Sequence, residues 1–116
     1  MKFLTLTGWI GAVALFCQAT PANARALFEW GHYDSALYVY SKHPEKLPVF
    51  EDALRAAIEK GRASKRLAPG LQAELAYCLM SEGKKEEAVE LFKAEIASFP
   101  ESRDFLTRFV TSTGGN

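Results

Sequence analysis

The sequence holds too few cysteines to be stapled covalently. There are two, Cys17 and Cys78. Cys17 falls inside an apolar amino-terminal stretch that reads as a targeting segment, so Cys78 has no internal partner and the fold must stand on packing even in an oxidising compartment. Histidine is as sparse. His32 and His43 stand eleven positions apart, which gives neither an i,i+4 metal pair nor a Cys/His ligand set, and both read as loop histidines at the two ends of one helix. An excess of either charge is also missing: 14 basic residues face 14 acidic ones, so no global field attracts nucleic acid. No segment alternates with period two over a useful length, which leaves no candidate strand. No cofactor motif occurs, and no nucleophile, base and orienting group converge in the pattern. The expectation is a non-enzymatic domain without cofactor or metal.

What is present begins with a leader. Lys2 supplies a positive start, and Phe3 to Phe16 form an apolar run long enough for a signal peptide and too short for a comfortable membrane span. "TPANAR" offers Ala22 and Ala24 as the small residues of a cleavage site, with Pro21 ending any helix before it. Release there divides the chain into a signal peptide (1–24), a domain (25–112) and a disordered tail (113–116). The rival reading is acylation at Cys17. A lipoprotein signal wants a small residue just before the cysteine, whereas Phe16 stands there. Either route leads beyond the inner membrane, so the expected location is the periplasm, with outer-membrane anchoring only if Cys17 carries lipid. Removing 24 of the 116 residues leaves 92, a chain able to bury only about 60 to 65% of its unfolded surface.

Behind the leader the pattern is helical throughout. Phe50, Ala53, Leu54, Ala57 and Ile58 follow the three-and-four spacing of one face, with Glu51, Asp52, Arg55, Glu59 and Lys60 on the other. Pro48 suits the first turn of that helix and Gly61 its end. "RASKRLAP" then reads as a basic loop. Its Arg62, Lys65 and Arg66 could touch anionic lipid or an acidic partner, although three charges in a loop commonly do no more than keep it solvated. From Pro69 a helix buries Leu71, Leu75, Cys78 and Leu79 and closes at Gly83; the next, from "KKEEAVELF", buries Ala88, Val89, Phe92, Ile96 and Phe99 and stops at Pro100. Glu86 and Glu87 complement the positive end of that helix. A last helix has Ser102 as its N-cap and Phe105, Leu106, Phe109 and Val110 as its dry stripe. The expected fold class is all-α, with four to five helices.

The aromatic-rich "WGHYDSALYVY", Trp30 to Tyr40, poses the functional question. At about 100° per residue, Tyr33, Ala36, Leu37 and Tyr40 share one face, and Tyr38 lies across the helix near Asp34 and Ser35. The stretch has an echo: Gly31, Ala36 and Tyr40 are spaced like Gly83, Ala88 and Phe92, 52 positions later. A glycine permits a tight turn, a small alanine lets two helix axes approach, and an aromatic one turn on plugs the wedge between them.

Residues 69–102 resemble a tetratricopeptide repeat, with Leu75, Ala76, Gly83, Ala88, Phe92 and Pro100 on that family's positions. Gln72 replaces the usual first-helix aromatic, and Glu95 stands where a small residue is expected. Trp30 to Tyr40 resembles the second half of another unit, so tetratricopeptide-like helical hairpins are the expected architecture. More narrowly, the chain resembles the bacterial envelope lipoproteins grouped as domain of unknown function 4810. Trp30, Gly31, Tyr33, Leu37, Tyr38 and Tyr40 match that family's opening motif, and Pro69, Gly70, Leu71, Ala73, Glu74, Leu75 and Tyr77 its second. The resemblance implies an envelope assembly, with a curli-secretion-channel-like lipoprotein as companion and a lipobox cysteine at about the position of Cys17. It implies no activity.

Together these readings lead to the expectation of a periplasmic protein-interaction module that docks another envelope protein through Trp30, Tyr38 and Tyr77, since aromatics off the core face are common interface anchors. The bland alternative is that all three fill gaps between helices. The alternative function is a structural lipoprotein anchored through Cys17.

Overall fold

The computed structural model describes residues 27–114. Five α-helices follow one another: α1 Tyr33–Lys42, α2 Leu47–Ser64, α3 Leu71–Ser81, α4 Lys85–Ser98 and α5 Arg103–Ser112, with short 3-10 turns at Pro44–Lys46 and Pro100–Ser102. The domain is all-α. Among the described residues the only strand-like feature is an isolated parallel bridge between Glu29 and Leu67.

Each helix packs on its successor, which folds the chain into a zigzag of two layers. On one side Tyr33 of α1 donates a hydrogen bond to Glu74 of α3 at 2.7 Å, and Tyr77 of α3 meets Phe109 of α5 edge-on at 5.1 Å. On the other side Arg55 of α2 pairs with Glu87 of α4 at 2.8 Å. Between the layers lies a continuous core in which Phe50, Leu54, Leu71, Leu75, Leu79 and Phe92 are fully buried. Burial of each such side chain stabilises the fold by about 1.5–3 kcal/mol.

The two triplets are joints, as their spacing predicts. Gly31 and Gly83 both take positive φ, at 53° and 80°, and Ala36 and Ala88 are buried. The aromatics plug the wedges: Tyr40 stacks on Phe50 at 5.2 Å, and Phe92 meets Tyr77 at 5.1 Å and Phe109 at 5.5 Å. The likeness runs past the triplets. His43 after α1 and Phe99 after α4 share one backbone conformation, φ −134° with ψ 83° and 82°. Each is followed by a proline that opens a 3-10 turn leading into the next helix. Since α1 has 10 residues and α4 has 14, the later copy carries one additional turn. From α1 to α4 there are three helix steps, an odd number, so the echo recurs as a helix with its exit and not as a two-helix period.

Helix α3 starts at Leu71 and not at Pro69, and two further boundaries differ from the sequence reading. Helix α2 does not stop at Gly61 but runs to Ser64. Its stop is Lys65 in the left-handed region at φ 57°, with the Arg66 amide reaching back to the Gly61 carbonyl at 2.8 Å and the Lys65 amide to the Arg62 carbonyl at 3.3 Å. That is a Schellman cap with lysine where glycine is usual. Gly61 is needed for another reason: a Cβ there would lie 2.7 Å from the Leu67 Cα. Nor does Ser102 cap α5. It is already helical in conformation, and its hydroxyl donates to the Phe99 carbonyl at 2.7 Å, because the 3-10 turn from Pro100 starts the coil before it.

Candidate docking groove

Helices α3 and α5 are neighbours but not successors, and a trough of about 560 Å3 runs between them. Ala73, Tyr77, Phe105 and Leu106 make its apolar floor, and Glu74, Glu95 and Glu101 stand around it. Tyr77 follows Ala73 by one helical turn, which lines both up along the trough. Its ring is wedged edge-on against Phe92 and Phe109 yet remains 36% exposed, and partial burial pushes its phenol above the usual value. Phe105 leans on Phe109 at 5.4 Å and is 61% exposed. Such an area of aromatic surface offered to water is a liability to a helix end unless something uses it.

Two of the acidic groups are held, not loose. Glu74 accepts the Tyr33 hydroxyl. Glu95, 2% exposed, accepts the Gly70 amide at 2.5 Å and the Gln72 amide at 3.4 Å. Gln72, itself 1% exposed, also donates to Ser98 at 3.3 Å and accepts from Arg62 at 2.5 Å. The two residues that depart from the tetratricopeptide pattern therefore find each other. A buried amide and a buried carboxylate would each be costly alone, and together they satisfy one another.

The residues singled out in the sequence are not all brought together. Tyr77 lies in the trough. Tyr38, 66% exposed, stands on the outer side of α1, away from buried Ala36. Trp30 packs against the core and meets Tyr33 at 5.5 Å, so an aromatic row Trp30, Tyr33, Phe50, Tyr40 fills the α1–α2 joint. Cys17 and the signal segment fall outside the described residues. Of the expected basic loop, Arg62 lies in the last turn of α2 and holds Gln72, while Arg66 donates to the Leu27 carbonyl at 3.2 Å. Cys78 is buried, and burial, with Glu51, Glu74 and Glu82 nearby, pushes its thiol up to about 11. Among the described residues no three His, Cys, Asp or Glu side chains gather to hold a metal ion, and no helix is long and apolar enough to cross a membrane.

Phe105 is a correction to the expected dry stripe of α5. Leu106 and Val110 are buried and Phe109 is half-buried, but Phe105 faces the trough. The signal was in the pattern. From Phe105 to Val110 the four apolar positions spread over about 140° of helix surface at 100° per residue, wider than α4 and the edge of α3 cover among the described residues.

A family model for a domain of unknown function, DUF4810, matches residues 27–109. The chain belongs to this family. The DUF4810 match takes in every residue that lines the trough, from Pro69 to Leu106. It also spans both aromatic rows, Trp30 to Phe50 and Tyr77 to Phe109. No curated protein matches the chain, and no solved structure does.

Proposed function

We propose that this DUF4810 domain is a non-catalytic interaction module of the bacterial envelope, a tetratricopeptide-like scaffold that holds another envelope protein. A curli-secretion-channel-like lipoprotein is the companion implied by the family resemblance. The observation that carries the reading is the exposed aromatic pair Tyr77 and Phe105 in an open apolar trough, on a scaffold whose remaining large side chains are mostly consumed by packing. Aromatics at the centre of a concave surface are the usual anchors of protein interfaces. His32 and His43 are both exposed at opposite ends of α1, and Cys78 is buried and protonated at neutral pH, a state that suits packing and not nucleophilic attack.

A photo-crosslinking residue installed at position 105 in the living cell tests the module. The expected result is a covalent adduct with one envelope protein at position 105 and none at position 60, an exposed site on α2. No adduct at 105 or at 38 overturns the reading. The location follows from the leader, read from its residues as a periplasmic signal cleaved after Ala24. Mass spectrometry of the mature amino terminus decides the form: a free Arg25 identifies the soluble periplasmic protein, and a diacylated Cys17 identifies an outer-membrane lipoprotein.

A further inference from the structure

Resting on the docking reading above, we infer that the trough between α3 and α5 takes a basic peptide segment of a partner protein, one large apolar side chain flanked by lysine or arginine. The floor of Ala73, Tyr77, Phe105 and Leu106 gives the apolar side chain its contact, and the walls give the sign of charge. Glu74, Glu95 and Glu101 line the trough, and among the described residues no lysine, arginine or histidine does.

Two of the three carboxylates are fixed in place by the fold. Glu95 is anchored by the Gly70 amide and by Gln72, so its carboxylate stays at the end of the trough where α4 delivers it. Glu74 is tied to α1 through the Tyr33 hydroxyl. Glu101 rides on the 3-10 turn that Pro100 imposes and is exposed. Three separate elements thus bring acidic side chains to one place, and two of the three are already ordered by hydrogen bonds before a partner arrives. An acidic segment would face like charges, which complementarity at interfaces excludes. Anionic lipid headgroups are repelled for the same reason. A small apolar molecule fits poorly as well, because such ligands are usually held in pockets that enclose most of their surface, and this trough lies open along one side with Phe105 exposed.

Selection of phage-displayed random peptides on the full chain tests this chemistry. Enriched sequences are expected to pair an aromatic or leucine residue with flanking lysine or arginine. A synthetic peptide of that pattern, followed by fluorescence anisotropy, is expected to bind and to weaken as salt is added. Phe105→Ala should weaken it about tenfold, the scale of a lost interface anchor. Glu101→Lys should weaken it and flatten the salt dependence. Both sites are exposed, and unchanged helical circular dichroism verifies that each variant is folded. Enrichment of acidic or neutral sequences, no enrichment, or equal binding by the Phe105→Ala and Glu101→Lys proteins overturns the inference. A crosslink at position 105 that persists alongside an acidic selection result would sink the ligand chemistry and leave the docking module standing.

Discussion

Glu51 shows how far one side chain can depart from its expected place. Its position among Asp52, Arg55 and Glu59 put it on the wet face of α2, yet it is 7% exposed, because the turn between α3 and α4 folds Glu82 onto it. Burial, then a hydrogen bond to Glu82, raises the Glu51 carboxyl above its ordinary 4.5. Glu82, bonded to Lys84 at 2.9 Å, is lowered. The signs oppose. From pH 4.5 upward the unfolded state releases the Glu51 proton first, so stability falls as pH rises through the folded-state value. Glu82 contributes stability that is present above its unfolded value and lost as pH falls through its lowered one. Glu51→Gln keeps a donor toward Glu82 and removes the group whose ionisation burial opposes. Its melting temperature should match the wild type near pH 4 and exceed it by a few degrees at pH 7, the scale of about 1 kcal/mol in a domain of this size. Equal melting curves at both pH values would contradict this. Gly61→Ala tests a different contact: a Cβ 2.7 Å from the Leu67 Cα should cost about 1–3 kcal/mol in urea denaturation, as other overpacked sites do.

Among the elements, periodicity made the helices and most of their inner faces readable, and the failures have local causes. Gly61 resembled a stop because glycine usually is one; the real stop is a lysine in a left-handed turn, which leaves no compositional mark. Ser102 resembled a cap because a hydroxyl precedes an apolar stripe, but Pro100 had already begun the coil. Gln72 and Glu95 were visible only as misfits to a repeat pattern, and nothing in a single sequence says that two misfits 23 positions apart will meet. Their bond predicts a coupling. Gln72→Leu and Glu95→Leu should each cost about 1–3 kcal/mol by stranding the other's polar atoms, and the double variant should cost less than the two combined, with a coupling of about 0.5–3 kcal/mol. Additive losses in chemical denaturation would show that the two groups do not depend on one another.

For the whole molecule, the zigzag explains why the functional surface was only half readable. Tyr77 could be picked out as an aromatic in a recognised motif. Phe105 carried only an indirect mark, an apolar stripe too wide for one neighbour, and which of its four residues is left uncovered depends on how α3 and α4 approach α5. The same connectivity puts Cys78 inside, on α3 with α2 and α4 to either side. A thiol reagent added to the folded protein should therefore label it only as fast as the domain opens, and in increasing urea the labelling should rise in step with the loss of helical signal. Labelling well ahead of that loss would reveal that the α3–α4 hairpin opens by itself.

The bond from the Gly70 amide to Glu95 has one more consequence. Gly70 has no side chain with which to cap α3, and the carboxylate that complements the positive start of that helix arrives from α4, 25 residues further along the chain. A synthetic peptide covering 69–84 would be missing its own start signal and should stay largely uncoiled in water, while one extended through Ser98 carries the missing group and has the means to wind both segments at once. Newly made chain leaving a ribosome or a translocation channel would meet the same requirement, completing this hairpin only after its second arm has emerged.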